Sequence, residues 1–206
     1  MATIGNAPVF PTESVLPGNL EVTGNATING TTNSVGALTE NSNEVLNVTN
    51  TTHFTFDQWK LTANACGPTS DLLITNWERV HKVGTGMTHS SGTFSFPSTG
   101  LYKVIAVATI YGAAADNQGG LRHWYTTDNS SYSATALGYT GGNSDGNGGS
   151  DIWSGTGYTG VYYDITDTSL CKLQFKTFSL NNSGNCLQGT TVNIQTSVTF
   201  ERIGNT

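Results

Sequence analysis

The sequence predicts an all-β protein of sandwich or jelly-roll type, and three observations carry that prediction. Of 206 residues, 25 are Gly and only 11% are charged, with Asn, Ser and Thr abundant, the composition of a chain full of turns. Apolar residues recur at alternate positions in run after run, and no stretch shows the 3.6-residue period of a helix. One block, 92–111, reads GTFSFPSTGLYKVIAVATIY. It predicts a short strand over 93–96 with Phe94 and Phe96 on one face. Pro97 stops that strand, Ser98-Thr99-Gly100 supplies turn chemistry, and a long β-branched and aromatic strand follows over 101–111. Both faces of the long strand are largely apolar, Tyr102 and Val104 on one and Ile105 and Val107 on the other. A central strand with a second sheet or another subunit behind it is therefore expected.

In chain order, residues 1–16 show neither period. They hold Pro8 and Pro11 with the apolar pairs Val9-Phe10 and Val15-Leu16, too little to fold alone. The expectation is an arm that anchors on a partner through Pro8, Val9, Phe10, Val15 and Leu16. Residues 18–30 repeat Gly-Asn-apolar-x-(Val/Ile)-x, with Leu20 and Val22 in the first unit and Ala26 and Ile28 in the second. Two such units cannot bury their own apolar face, because stacked repeats generally need about three. The expectation is a stalk over 17–50 in which Leu20, Val22 and Ile28 pack against further copies of the chain. Residues 35–52 read as a linker, and no Lys or Arg precedes Lys60. That charge break sets the expected start of the head, residues 51–206.

The head opens with a strand around Phe54, Phe56, Trp59 and Leu61. A second is expected over 71–83, then the 92–111 block, then strands over 121–127 and 132–140. A Gly/Ser/Asn-rich loop over 141–160 precedes strands over 161–165, 170–178 and 191–203. In the last, Val192, Ile194, Val198 and Phe200 alternate with polar residues and are expected to point inward. Eight or more strands separated by turns call for a two-sheet fold.

The run Phe94-Ser-Phe96-Pro97-x-x-Gly100-Leu101-Tyr102 resembles the F-x-x-P-x-x-G-x-Y signature of the tumour-necrosis-factor and complement globular-head superfamily. That resemblance implies a ten-stranded jelly roll that assembles as a homotrimer, with the strand after the Pro-Gly turn lining the trimer axis. Tyr102, Val104 and Val107 are then core or trimer-contact residues. The 18–30 repeat is similar to the interwoven β-stalks of bacteriophage fibre and spike proteins.

Net charge is −6, and the eight basic residues do not cluster along the chain. Nucleic acid and anionic membrane are thereby excluded as expected partners. The first eleven residues carry no basic and apolar signal-peptide pattern. Asn-x-Ser/Thr triplets at Asn25, Asn29, Asn47, Asn50, Asn129 and Asn181 read as turn and strand residues rather than glycan acceptors. The three cysteines, Cys66, Cys171 and Cys186, are expected as reduced, buried thiols, with a Cys171–Cys186 disulfide as the lesser reading.

No nucleophile elbow, phosphate loop or His-Glu-x-x-His is present. His53, His81, His89 and His123 lack ligand spacing and are expected as satisfied core or surface residues. Residues 141–151 partly resemble a calcium loop through Asn143, Asp145, Asn147 and Asp151. Ser154 stands where a bidentate Glu is required, so a simple loop is preferred. Tyr139, Trp153 and Tyr158 flank that loop. Exposed, they would form a sugar-stacking surface; packed, they would close the end of the sandwich, which is preferred. No enzyme activity and no cofactor are expected. These expectations converge on a phage virion structural protein, a trimeric capsid decoration or head-fibre protein. It would be assembled in the host cytoplasm, displayed on the virion surface and anchored to the major capsid or another virion protein. The receptor-binding tip of a tail fibre, reading host surface glycans, is the alternative, and a polysaccharide-degrading enzyme is a third class.

Overall fold

The structure, a computed structural model, describes residues 39–40, 43–44, 55–112, 116, 118–141 and 153–205. The chain divides into two units, Met1–Asn47 and Val48–Thr206. In the first, β1 (Thr39–Glu40) pairs antiparallel with β2 (Asn43–Glu44), a hairpin inside the stretch read as a linker.

In the second unit every described strand pairing is antiparallel, and the strands fall into two sheets. The large sheet runs β11 (Trp153–Ile165), β8 (Gly100–Gly112), β14 (Ser197–Gly204), β3 (Thr55–Leu61), β5 (Trp77–Val83). Two short strands, β13 (Cys186–Leu187) and β4 (Ala65–Cys66), extend it beside the far end of β8. The small sheet runs β10 (Ser133–Gly141), β9 (Gln118–Thr126), β12 (Lys172–Phe178), β7 (Thr93–Ser95), β6 (Thr88–Ser90). Among the described residues there is no helix, as the missing 3.6-residue period required.

An aromatic cluster joins the sheets. Phe94 of β7 is fully buried and meets Trp59 at 5.3 Å and Phe200 at 5.0 Å from the large sheet, and Phe175 at 5.6 Å from its own. Edge-to-face and tilted geometries of this kind add to the burial of the rings themselves. The Pro-x-x-Gly-x-Tyr turn sits against this cluster. Tyr102 packs its ring on Phe96 at 4.9 Å and donates its hydroxyl to the Ser98 carbonyl at 3.1 Å. Arg202 Nε closes the turn by donating to the Thr99 carbonyl at 2.9 Å. Gly100 has φ of 137°, and a Cβ there would lie 2.5 Å from the Gly204 carbonyl oxygen, so the turn admits only glycine.

The 93–96 and 101–111 strands form where expected, with Phe94 and Phe96 both buried. Other expectations are corrected. The strand predicted over 71–83 is β5 alone; residues before it turn and bridge Leu73 to Lys176 on the small sheet. The loop predicted over 141–160 ends earlier, because β11 begins at Trp153 and pairs along all of β8. Val192 and Ile194 are 80% and 49% exposed instead of inward, since the ladder with β3 begins only at Ser197; Val198 and Phe200 are buried as predicted. The cysteine reading holds for Cys171 and fails for the other two. Cys66 and Cys186 form a disulfide, brought face to face by the β4–β13 pairing, and Cys171 is the free, buried thiol.

Phe94→Ala should cost about 3–5 kcal/mol of folding free energy, the usual range for an aromatic removed from a tight core. Urea unfolding measured beside the parent protein checks this, and a loss below about 1 kcal/mol would show that the cluster does not join the sheets.

Candidate functional site

Burial alternates strictly along β8: Tyr102, Val104, Ala106, Ala108 and Ile110 are buried, while Leu101, Lys103, Ile105, Val107, Thr109 and Tyr111 are half-buried. The inner set packs on the small sheet. The outer set belongs to a face that register extends over five strands. One row reads Tyr162, Lys103, Glu201, Phe56, Val83, and four residues along β8 another reads Tyr158, Val107, Ser197, Lys60, Glu78. Its central charges cancel locally, with Lys103 3.9 Å from Glu201 and Lys60 3.9 Å from Glu78, while Asp164 stands exposed on β11 at the margin. Its margin is aromatic: Tyr158 and Tyr162, four residues apart on β11, are 62% and 61% exposed. Gly160 between them leaves room for the Tyr158 ring, whose hydroxyl would lie 3.3 Å from a Cβ at that position.

The large sheet closes onto the small one along β10 and β11. A Cβ on Gly157 would lie 2.7 Å from the Tyr139 amide nitrogen, and one on Gly138 2.9 Å from the Tyr158 carbonyl carbon. Glycine is thus required for the two edge strands to touch backbone to backbone. This contact separates the three aromatics singled out beside the loop. Trp153 is buried in the core, whereas Tyr139 (55% exposed) and Tyr158 face outward on different sheets. They form no common platform. The calcium-loop residues Asn143, Asp145, Asn147 and Asp151 lie outside the described residues. So do the anchoring residues Pro8, Val9, Phe10, Val15 and Leu16, and the stalk residues Leu20, Val22 and Ile28.

Polar groups that composition could not place sit in the interior. Asp57 is fully buried, accepts from Arg79 Nε at 2.9 Å and Nη2 at 3.1 Å, and accepts from the Met87 amide at 2.6 Å. Arg79 also donates to the Met87 carbonyl and covers the Trp59 ring at 4.4 Å. His123, fully buried on β9, shares a hydrogen bond of 3.1 Å with the Tyr163 hydroxyl, which meets Thr135 Oγ1 at 2.7 Å. The three residues link β9, β10 and β11. Burial lowers the His123 pKa to about 4 and pushes the Tyr163 pKa up to about 12. Asp116 accepts from the amides of Asn181 and Asn182 and from Asn185 Nδ2, which together hold its pKa down despite partial desolvation. Among the described residues, no group of three His, Cys, Asp or Glu is placed to hold a metal ion.

No protein-family profile matches the chain, and no curated protein matches it in sequence. Solved structures do. Eiger TNF from S. frugiperda superposes with a TM-score of 0.54 at 10% identity, covering 74% of this chain and 94% of that one. Murine APRIL at pH 8.5 gives 0.50 at 11% identity, over 73% and 99%. The fold is a TNF-like jelly roll. At such identities the likeness concerns the fold, and function is argued from the surfaces.

The His123 shift sets a pH response. The unfolded histidine takes up its proton near 6.5 and the folded one only near 4, so stability falls as pH drops through that window, by roughly 3 kcal/mol in all. His123→Leu should flatten the stability profile between those limits relative to the parent, measured by denaturant titration at stepped pH. An unchanged slope would show that His123 does not carry the response.

Proposed function

We propose that this chain is a homotrimeric virion structural protein of a bacteriophage, a capsid decoration or head-fibre protein held to the particle by residues 1–16. One observation carries the self-association: the outer face of the large sheet. Ile105, Val107 and Phe56 are half-buried, Val83 is 45% exposed, and two tyrosines stand at the margin. A chain of net charge −6 repels its own copies, yet on this face the central charges are already paired with each other. A second and third copy meet an apolar surface with little uncompensated charge, which is the property an obligate homo-oligomeric interface needs.

The placement on a virion is supported by the leading third. Its Gly-Asn repeat has too few units to bury itself, and the sequence of residues 1–16 holds prolines and apolar residues without a helix or strand period. The TNF-like head follows both in the sequence. The Cys66–Cys186 disulfide suits a head that works outside a cell, where such bonds persist. The alternative placement, a tail-fibre tip, uses the same head in far fewer copies. Counting copies per virion separates the two: hundreds mark decoration, and a few tens or fewer mark a fibre.

Val107→Asp should leave a folded protein, by circular dichroism, that sediments as a monomer, because Val107 points away from the core. Val104→Asp, on the inner face, should not fold at all. A Val107→Asp protein that remains trimeric would refute this face as the interface. Deleting residues 1–16 should give a trimer that no longer attaches to particles; retained attachment would refute the arm.

A further inference from the structure

We infer that the outer face of the small sheet binds an acidic polysaccharide, a chain of sugars with carboxylates on spaced units. The observation is where this acidic protein places its cations. It has 8 Lys and Arg against 14 Asp and Glu, yet Lys176 of β12 and Arg122 of β9 stand directly opposite each other in the ladder. Like charges in that arrangement destabilise a sheet. A bound anion between them removes that repulsion.

Each cation lies over an aromatic ring of the same face. Lys176 Nζ is 3.9 Å from the centre of the Trp124 ring, and the Arg122 guanidinium is 4.5 Å from that of Phe178. Tyr139, 55% exposed, meets Phe178 edge-on at 6.1 Å. One acid is present: Asp71 accepts from Arg122 Nη1 at 2.9 Å. Lys176 has no acidic partner among the described residues. The patch therefore keeps an excess positive charge beside three aromatic rings.

A uronic acid matches this pairing of groups. Its C–H face stacks on a ring while its carboxylate takes a charge-assisted hydrogen bond from an adjacent ammonium. Nucleic acid does not match. A duplex carries a charge about every 1.7 Å, and a protein of net charge −6 with so few cations cannot neutralise such a line. A polysaccharide with well-spaced carboxylates needs only one or two cations at a time. The patch lies on the opposite sheet from the proposed self-association face, so a trimer presents three copies of it and gains by avidity.

The test is affinity electrophoresis of the full-length chain through gels containing hyaluronan, alginate or neutral dextran. Retardation by at least one of the two uronates, absent in dextran and lost at high salt, is expected. Lys176→Gln should weaken it about tenfold, the loss of one favourable cation contact at a ring, with sedimentation unchanged. Trp124→Leu should weaken it similarly. The inference is overturned if neither uronate retards the protein, if dextran retards it equally, or if Lys176→Gln binds as the parent does. The trimer and arm readings survive any of these results, since neither depends on this face.

Discussion

A β-strand has two faces, and a two-sheet sandwich can bury only one of them. In this protein that constraint falls on β8. Its inner residues, Tyr102 to Ile110, are sealed against the small sheet, and the aromatic cluster around Phe94 fixes how closely the sheets approach. Its outer residues include the β-branched Ile105 and Val107, yet they are left half-buried. The neighbours inherit the problem through register: Tyr158 and Tyr162 on one side, Phe56 on the other. Strand pairing fixes this alignment, because a slip of one residue would exchange the two faces of β8 and put Lys103 into the core.

The features legible in the sequence were those whose cause is local. Alternation over 101–111, the stop at Pro97 and the glycine turn after it act within a few residues, and β7 and β8 form where these predict. What escaped reading depends on partners distant in sequence. β11 has the composition of a loop, and two of its glycines, Gly155 and Gly157, are there because a Cβ would strike Thr140 and Tyr139 of β10. Those two glycines mark close approach, not flexibility. Residues 191–195 alternate like a strand but have no neighbour to pair with until Ser197, and alternation without a partner ladder buries nothing. Cys66 and Cys186 are 120 residues apart and meet only because β4 and β13 pair beside the far end of β8.

The interior polar groups share this non-local character. Asp57 alternates with Trp59 and Leu61 and so points inward, where an unpaired carboxylate would be prohibitively costly. Arg79 and the Met87 amide meet it from β5 and the turn beyond. A buried ion pair of this kind is weak evidence for stability, but losing either partner strands a charge, so it acts against any packing that misplaces β5. The His123–Tyr163–Thr135 link does the same at the opposite margin, tying β11 across to β9 and β10 by groups that must all be present. The sandwich is therefore clipped by polar contacts on both sides of an apolar centre.

The two outer faces then differ in a way that burial alone does not require. On the large sheet the cations Lys60 and Lys103 each sit beside a glutamate, and the apolar residues between them are β-branched or aliphatic. On the small sheet Lys176 and Arg122 face each other, only Arg122 has an aspartate beside it, and both lie over aromatic rings. Paired charges with aliphatic surface favour contact with an identical copy, because the two central lysines already have their glutamates. Surplus charge over rings favours a ligand that brings its own anion and a flat apolar side. Of the eight Lys and Arg, Lys60 and Lys103 are neutralised on the large sheet's outer face, whereas Lys176 stands unpaired beside Arg122 on that of the small sheet. That contrast gives the sandwich a face suited to assembly and a face suited to a ligand, and places them on opposite sheets where neither obstructs the other.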